Sequence, residues 1–75
     1  MNDNYGLTLG MLTQLMSNMG DNDHINAVRF MKEKDDVDYA HHADEVEVSV
    51  HTESGNVRYF VLDFAHPEAG WVETV

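Results

Sequence analysis

A strict alternation of apolar and polar residues from Glu45 to His51 constrains the fold more than any other feature of this chain. A period of two is the signature of a strand that buries one face. Ser54-Gly55-Asn56 is a turn signal, and Val57–Phe64 is predicted to form a second strand after it. The predicted hairpin buries one apolar set: Val46, Val48, Val50, Phe60, Leu62 and Phe64.

The length of the hairpin loop decides whether that set shares one face of the sheet. A three-residue loop at residues 54–56 pairs Val50 with Phe60, Val48 with Leu62 and Val46 with Phe64. A slip of one residue would send the two strands' apolar residues to opposite faces, so burial favours this loop. Asn56 would then occupy the left-handed position, which asparagine tolerates.

Residues 7–19 are predicted to form a helix, because their apolar side chains recur at i, i+3 and i+4. Asn4 or Thr8 can cap its start, and Gly20 is placed to end it in the left-handed conformation. No charged residue lies between Asn4 and Gly20. The apolar arc consists of Leu7, Met11, Leu12, Leu15, Met16 and Met19.

Residues 24–34 are predicted to form a second helix. Ile25, Val28 and Met31 recur at helical spacing, with acidic residues before the segment and lysines at its end, as the helix dipole favours. A strand is the competing interpretation, because Val28 and Phe30 also alternate. For the polar connector Asp35–Asp44, a short strand and a helical turn both remain open.

A third strand is expected at residues 71–75, after a connection that contains the single proline. The predicted fold is therefore α+β, with two N-terminal helices packed on a three-stranded antiparallel β-meander. Its 75 residues are expected to form a single domain, 1–75. The chain has no cysteine, so neither disulfides nor thiolate metal sites can reinforce its small core.

The charge is strongly acidic and unevenly distributed. Fourteen acidic residues against four basic ones give a net charge of −10, and eight of the carboxylates lie between Glu33 and Glu53. Such a chain repels nucleic acid and anionic membranes and attracts basic protein surfaces. Residues 7–19 are too few and too polar to span a membrane. We therefore expect a cytoplasmic protein with no membrane contact and no direct nucleic-acid binding.

The polar face of the hairpin is the candidate binding surface. Carboxylates in a row beside an exposed tyrosine can imitate a phosphate backbone and occupy the groove of a basic nucleic-acid-binding protein. The alternative is that this face is simply solvated and keeps the protein soluble. The candidate partner-binding residues are Asp35, Asp36, Asp38, Glu45, Glu47, His51, Glu53, Tyr59 and Asp63.

Catalytic, metal and cofactor sites are not expected. The serines lack a nucleophile elbow, and the glycine pair Gly6 and Gly10 lacks the lysine of a phosphate loop. The five histidines show no ligand spacing. His41 and His42 would point to opposite sides of a strand, which makes them poor joint ligands even with Asp44 nearby.

The leading hypothesis is thus a non-enzymatic inhibitor that blocks a nucleic-acid-binding protein by mimicking its ligand. In length, acidity and element order the chain resembles the small inhibitors that phages and plasmids encode against host DNA-acting enzymes. The alternative is a homodimeric accessory protein joined through the neutral N-terminal helix. That interface would use Leu12, Leu15, Met16 and Met19.

Overall fold

The computed structural model describes residues 7–39 and 43–74, and within them the chain forms one α-helix, one 3₁₀ helix and five strands. All strand pairs are antiparallel, and the sheet order is β2-β1-β3-β4-β5. The elements are α1 Leu9–Met16, β1 His24–Lys32, β2 Asp35–Val37, β3 Glu45–His51, β4 Val57–Asp63, the 3₁₀ helix Pro67–Ala69 and β5 Val72–Thr74.

The predicted architecture of two helices on a three-stranded meander is wrong. The segment 24–34 is not a helix but contains β1, a nine-residue strand that pairs with β2 on one side and β3 on the other. The connector after it contributes β2, one of the two conformations left open for that segment. Within the described residues the sheet therefore has five strands, and a single α-helix packs on it.

A β-bulge explains why β1 resembled a helix in sequence. Residues three apart in a regular strand point to opposite faces. In β1 the extra residue Asn26 interrupts the pairing with β3, so Ile25 and Val28 both face the core side. Met31, the third residue of the supposed helical stripe, instead lies on the opposite face, across from Glu45.

The predicted apolar face of the hairpin is confirmed. All six of its side chains are at most 4% exposed and belong to one core cluster: Val46, Val48, Val50, Phe60, Leu62 and Phe64. Leu15 of α1 is fully buried in the same cluster, which shows that α1 covers this side of the sheet. We call this side the core face and the other side the open face.

The pairing register within the hairpin differs from the prediction by two residues. Val48 pairs with Phe60, and Val50 pairs with Arg58. A shift of two residues leaves every side chain on the same face, so burial cannot distinguish the two registers. The prediction of the face was therefore right, while the prediction of the register was wrong.

Loop chemistry selects the observed register. The Thr52 amide donates to the Asn56 carbonyl over 2.8 Å, and the Asn56 amide donates back to the Thr52 hydroxyl over 3.0 Å. The left-handed position falls on Gly55, with φ of 96°, and not on Asn56 as predicted. Glycine occupies this conformation without the steric cost that a side chain would add.

The helix is shorter than predicted. Thr8 caps its start, as one of the two expected candidates, since its Oγ1 accepts the Met11 amide over 3.1 Å. The other candidate, Asn4, lies outside the described residues. The predicted stop at Gly20 is wrong, because Gly20 is not left-handed and its amide donates to the Asp23 carboxylate over 2.9 Å.

The helix is anchored at two points and open along one flank. Leu15 inserts into the core, and the Trp71 indole, just before β5, donates to the Met11 carbonyl over 2.7 Å. Leu9 and Met16 are 81% and 63% exposed. The broad apolar arc predicted for this helix is therefore only partly used by the core. The third predicted strand is present as β5; Val75 lies outside the described residues.

Candidate binding surface on the open face

Strand register arranges the open-face side chains in four rows that cross the sheet. Successive rows are about 6.6–6.8 Å apart, which is two residues along a strand. The first row is Asp36, Met31, Glu45 and Asp63, and the second is Arg29, Glu47, Val61 and Val72. The third is Ala27, Ser49, Tyr59 and Thr74, and the fourth is His24, His51 and Val57.

The first two rows collect four carboxylates, Asp36, Glu45, Glu47 and Asp63, which we call the acidic end. Glu45 and Asp63 lie directly opposite each other on β3 and β4. Like charges in this position destabilise a sheet. Within the described part of the chain, no cation lies within 4.0 Å of either carboxylate. The Asp63 carboxylate accepts the Ala65 amide over 2.9 Å, but no ion pair among the described residues offsets the repulsion between the two carboxylates.

The other two carboxylates of the acidic end are neutralised by Arg29. Its guanidinium reaches the Asp36 carboxylate at 2.8 Å and the Glu47 carboxylate at 3.1 Å. The hydrogen bonds that Arg29 donates to the Asp36 carboxylate are the main reason why the pKa of Arg29 is raised. The regular row of charge expected from Glu45 and Glu47 is therefore interrupted, and the free negative charge concentrates on Glu45 and Asp63.

A hollow of about 570 Å³ lies over these two rows. Met31, Val61 and Val72 contribute apolar surface, while Lys34 and the 69–70 segment line its sides together with the carboxylates. A long cationic side chain has matching chemistry: an apolar stem and a charged head. The hollow can therefore accept a lysine or arginine side chain, with its head group between Glu45 and Asp63.

The structure separates the predicted site residues into two groups. Asp36, Glu45, Glu47 and Asp63 form the acidic end, and Tyr59 lies one row further, 42% exposed. His51 and Glu53 lie at the opposite end of the sheet, where the Glu53 amide donates to Asp23. Asp35 alternates with Asp36 and so faces the core side of the β2 edge, and Asp38 follows β2.

The lining residues of the hollow that sequence analysis missed include Arg29, Met31, Lys34 and Val72. The first two lie on β1, which was assigned to a helix, so their pairing with β3 could not be derived. The alternation of Val28 and Phe30 was the signal that could have placed them. Val72 reaches the hollow because β5 pairs beside β4.

Two further carboxylates are held by internal bonds. The Asp23 carboxylate accepts the amides of Gly20 and Glu53, at 2.9 and 3.0 Å, and these bonds lower its pKa. On the core face, Arg58 donates two hydrogen bonds to Glu73, which lowers the pKa of Glu73 and raises that of Arg58. These two carboxylates stabilise the fold through internal hydrogen bonds, so they are less available to bind a partner's cations.

Within residues 7–39 and 43–74, no three histidine or carboxylate side chains are grouped to hold a metal ion. His41 and His42, the adjacent pair considered above, lie outside these residues. Among the described residues, no helix is long and apolar enough to cross a membrane. The chain matches no protein-family model, no curated protein and no solved structure.

Proposed function

We propose that this protein is a small acidic, non-enzymatic inhibitor that occupies the basic, nucleic-acid-binding surface of a partner protein. The contact is made by the acidic end and the hollow beside it. One observation carries the proposal: Glu45 and Asp63 oppose each other at the hollow, and no cation of the described residues lies within 4.0 Å of either carboxylate. A partner's lysine or arginine would relieve that repulsion and bury its stem on Val61 and Val72.

Electrostatics supports a basic partner. A net charge of −10 steers association towards positive surfaces and away from nucleic acid. Nucleic-acid-binding grooves combine lysines and arginines with aromatic side chains that stack on bases. The open face offers complementary chemistry, since carboxylates adjoin Tyr59 and Val72, which are 42% and 57% exposed. We place this activity in the cytoplasm, in keeping with the absence of cysteine.

Affinity capture with two charge-matched variants tests the proposal. The bait is presented to a nuclease-treated bacterial lysate at low and at high salt. Glu45→Lys with Asp63→Lys reverses the acidic end, whereas Asp21→Lys with Glu53→Lys makes the same charge change at the far end. We expect the wild type and the far-end variant to capture the same basic nucleic-acid-binding protein at low salt, and the acidic-end variant to lose it.

Two results would reject this function. One is equal loss of capture in both variants, which would mean that only net charge matters. The other is a captured partner whose binding survives high salt and the acidic-end reversal. Circular dichroism of each variant checks that the sheet is intact, so that loss of binding is not loss of fold.

A second function, a homodimeric accessory protein, is favoured by the exposure of the helix. Leu9 and Met16 are 81% and 63% exposed on α1, which has no charged residue to oppose self-association. Leu15, one of the predicted interface residues, lies in the core instead. Analytical ultracentrifugation decides between the two: a dimer that Met16→Glu dissociates supports this function, and a monomer at all concentrations excludes it.

A further inference from the structure

Two histidines that are distant in sequence face each other at the end of the open face opposite the acidic end. His24 begins β1 and pairs directly with His51, which ends β3. Their ring centroids are 6.1 Å apart, with the ring planes at 81°. Both residues are exposed, so each ring can turn without disturbing the core.

We propose that His24 and His51 form a two-imidazole site for a divalent transition-metal ion such as Cu²⁺, Ni²⁺ or Zn²⁺. Directly opposed residues on antiparallel strands have Cβ atoms about 4.5–5.5 Å apart. Metal–imidazole bonds are about 2.0–2.1 Å long, so one ion can bridge two rings held at that separation. Imidazole suits these metals, and water completes the coordination shell.

The surroundings of the pair favour a cation. Asp23 precedes His24 in sequence, and its carboxylate accepts the backbone amides of Gly20 and Glu53. Glu53 follows in the β3–β4 loop. Arg58 is paired with the Glu73 carboxylate over 2.7 Å. Local charge therefore attracts a metal ion to this end of the sheet.

A bound ion would stabilise the N-terminal part of β1, which, among the described residues, has a neighbouring strand on one side only. The first six residues of β1 pair only with β3, because β2 pairs with β1 from Phe30 onwards. The bulge at Asn26 interrupts the ladder close to His24. An ion shared by β1 and β3 would cross-link the two strands at this end of the sheet. Small domains commonly gain stability from a bound metal in this way. His24 and His51 are far apart in sequence and are brought together by the pairing of β1 with β3, so the spacing of histidines along the chain could not reveal the site.

Thermal unfolding with and without Ni²⁺, at a pH of about 7.5 where free imidazole is mostly neutral, tests the site. The parent carries His41→Ala and His42→Ala, which removes the adjacent histidines as competing ligands. We expect Ni²⁺ to raise the unfolding temperature of the parent and of a His66→Ala control. The rise should vanish in His24→Ala and equally in His51→Ala.

Calorimetric titration with Ni²⁺ measures the affinity behind that rise. Each single variant should lose at least about tenfold, since even disturbing an outer-shell partner of a metal ligand costs that much. The double variant should lose no more than either single one, because one imidazole cannot chelate. The proposal is overturned if the parent shows no Ni²⁺ response. It is equally overturned if either single variant keeps the response, or if Mg²⁺, which prefers oxygen ligands, reproduces it.

Discussion

At the scale of single residues, alternation along β3 and β4 separates side chains that hold the fold from side chains that are free to bind. Phe60 is 4% exposed on the core face, while its neighbour Tyr59 is 42% exposed on the open face. Phe60→Ala should lower the free energy of unfolding by about 3–5 kcal/mol, because it leaves a large cavity. Denaturant titration should show a far smaller loss for Tyr59→Ala; equal losses would contradict the assignment of faces.

The opposed carboxylates predict an unusual gain of stability. Glu45→Gln removes the repulsion with Asp63 and should stabilise the isolated protein by about 0.2–1 kcal/mol. Glu47→Gln is the matched control two residues along the same strand, and it should destabilise because it breaks the ion pair with Arg29. Thermal denaturation at low salt measures both. If both variants change stability in the same direction, the effect comes from the overall negative charge and not from the local pair of Glu45 and Asp63.

Asp23 predicts where acid destabilises the fold. Its pKa is lowered by the amides of Gly20 and Glu53, so its contribution is complete above the unfolded-state value of about 3.9 and is lost as the pH falls through the lower folded-state pKa. Asp23→Asn should therefore lower the unfolding temperature near neutral pH, and the difference from the wild type should shrink in acid. Asp21→Asn, at a neighbouring loop position, should show no such convergence.

At the scale of elements, the prediction was right for the hairpin strands β3 and β4 and wrong for β1, where a bulge interrupts the regular spacing of apolar residues. Alternation along β3, together with the apolar residues of β4, predicted the hairpin and its buried face, because a hairpin can bury those six side chains together. The bulge at Asn26 gave β1 a spacing of three that is equally typical of a helix. The hairpin prediction identified the carboxylates Glu45, Glu47 and Asp63 of the candidate site. It did not identify the hollow, because Met31 and Arg29 lie on β1.

The β3–β4 loop provides a test at this scale. Gly55→Ala should lower the free energy of unfolding by about 1–2 kcal/mol, because a left-handed backbone disfavours a side chain. No atom lies within 4 Å of the added Cβ, so the effect is conformational and not a clash. Asn56→Ala is the control. If Asn56→Ala costs more than Gly55→Ala, the three-residue loop predicted from sequence is the correct one.

At the scale of the whole molecule, the open face has two chemically different ends. The acidic end holds the opposed carboxylates Glu45 and Asp63 beside the hollow, and the opposite end holds a histidine pair. On the core face, α1 and Trp71 pack against the hydrophobic cluster. Because charge is concentrated at one end, association with a basic partner should slow as added salt shortens the Debye length below about 8 Å. Stopped-flow mixing measures that rate, and a rate independent of salt would contradict electrostatic steering.

Competition with nucleic acid tests the central claim most directly. The captured partner is titrated with this protein in the presence of increasing amounts of the partner's own nucleic acid. If the acidic end occupies the nucleic-acid groove, the apparent dissociation constant should rise in proportion to the nucleic acid added. If the two bind side by side, with an unchanged dissociation constant, the acidic end does not take the place of a phosphate backbone.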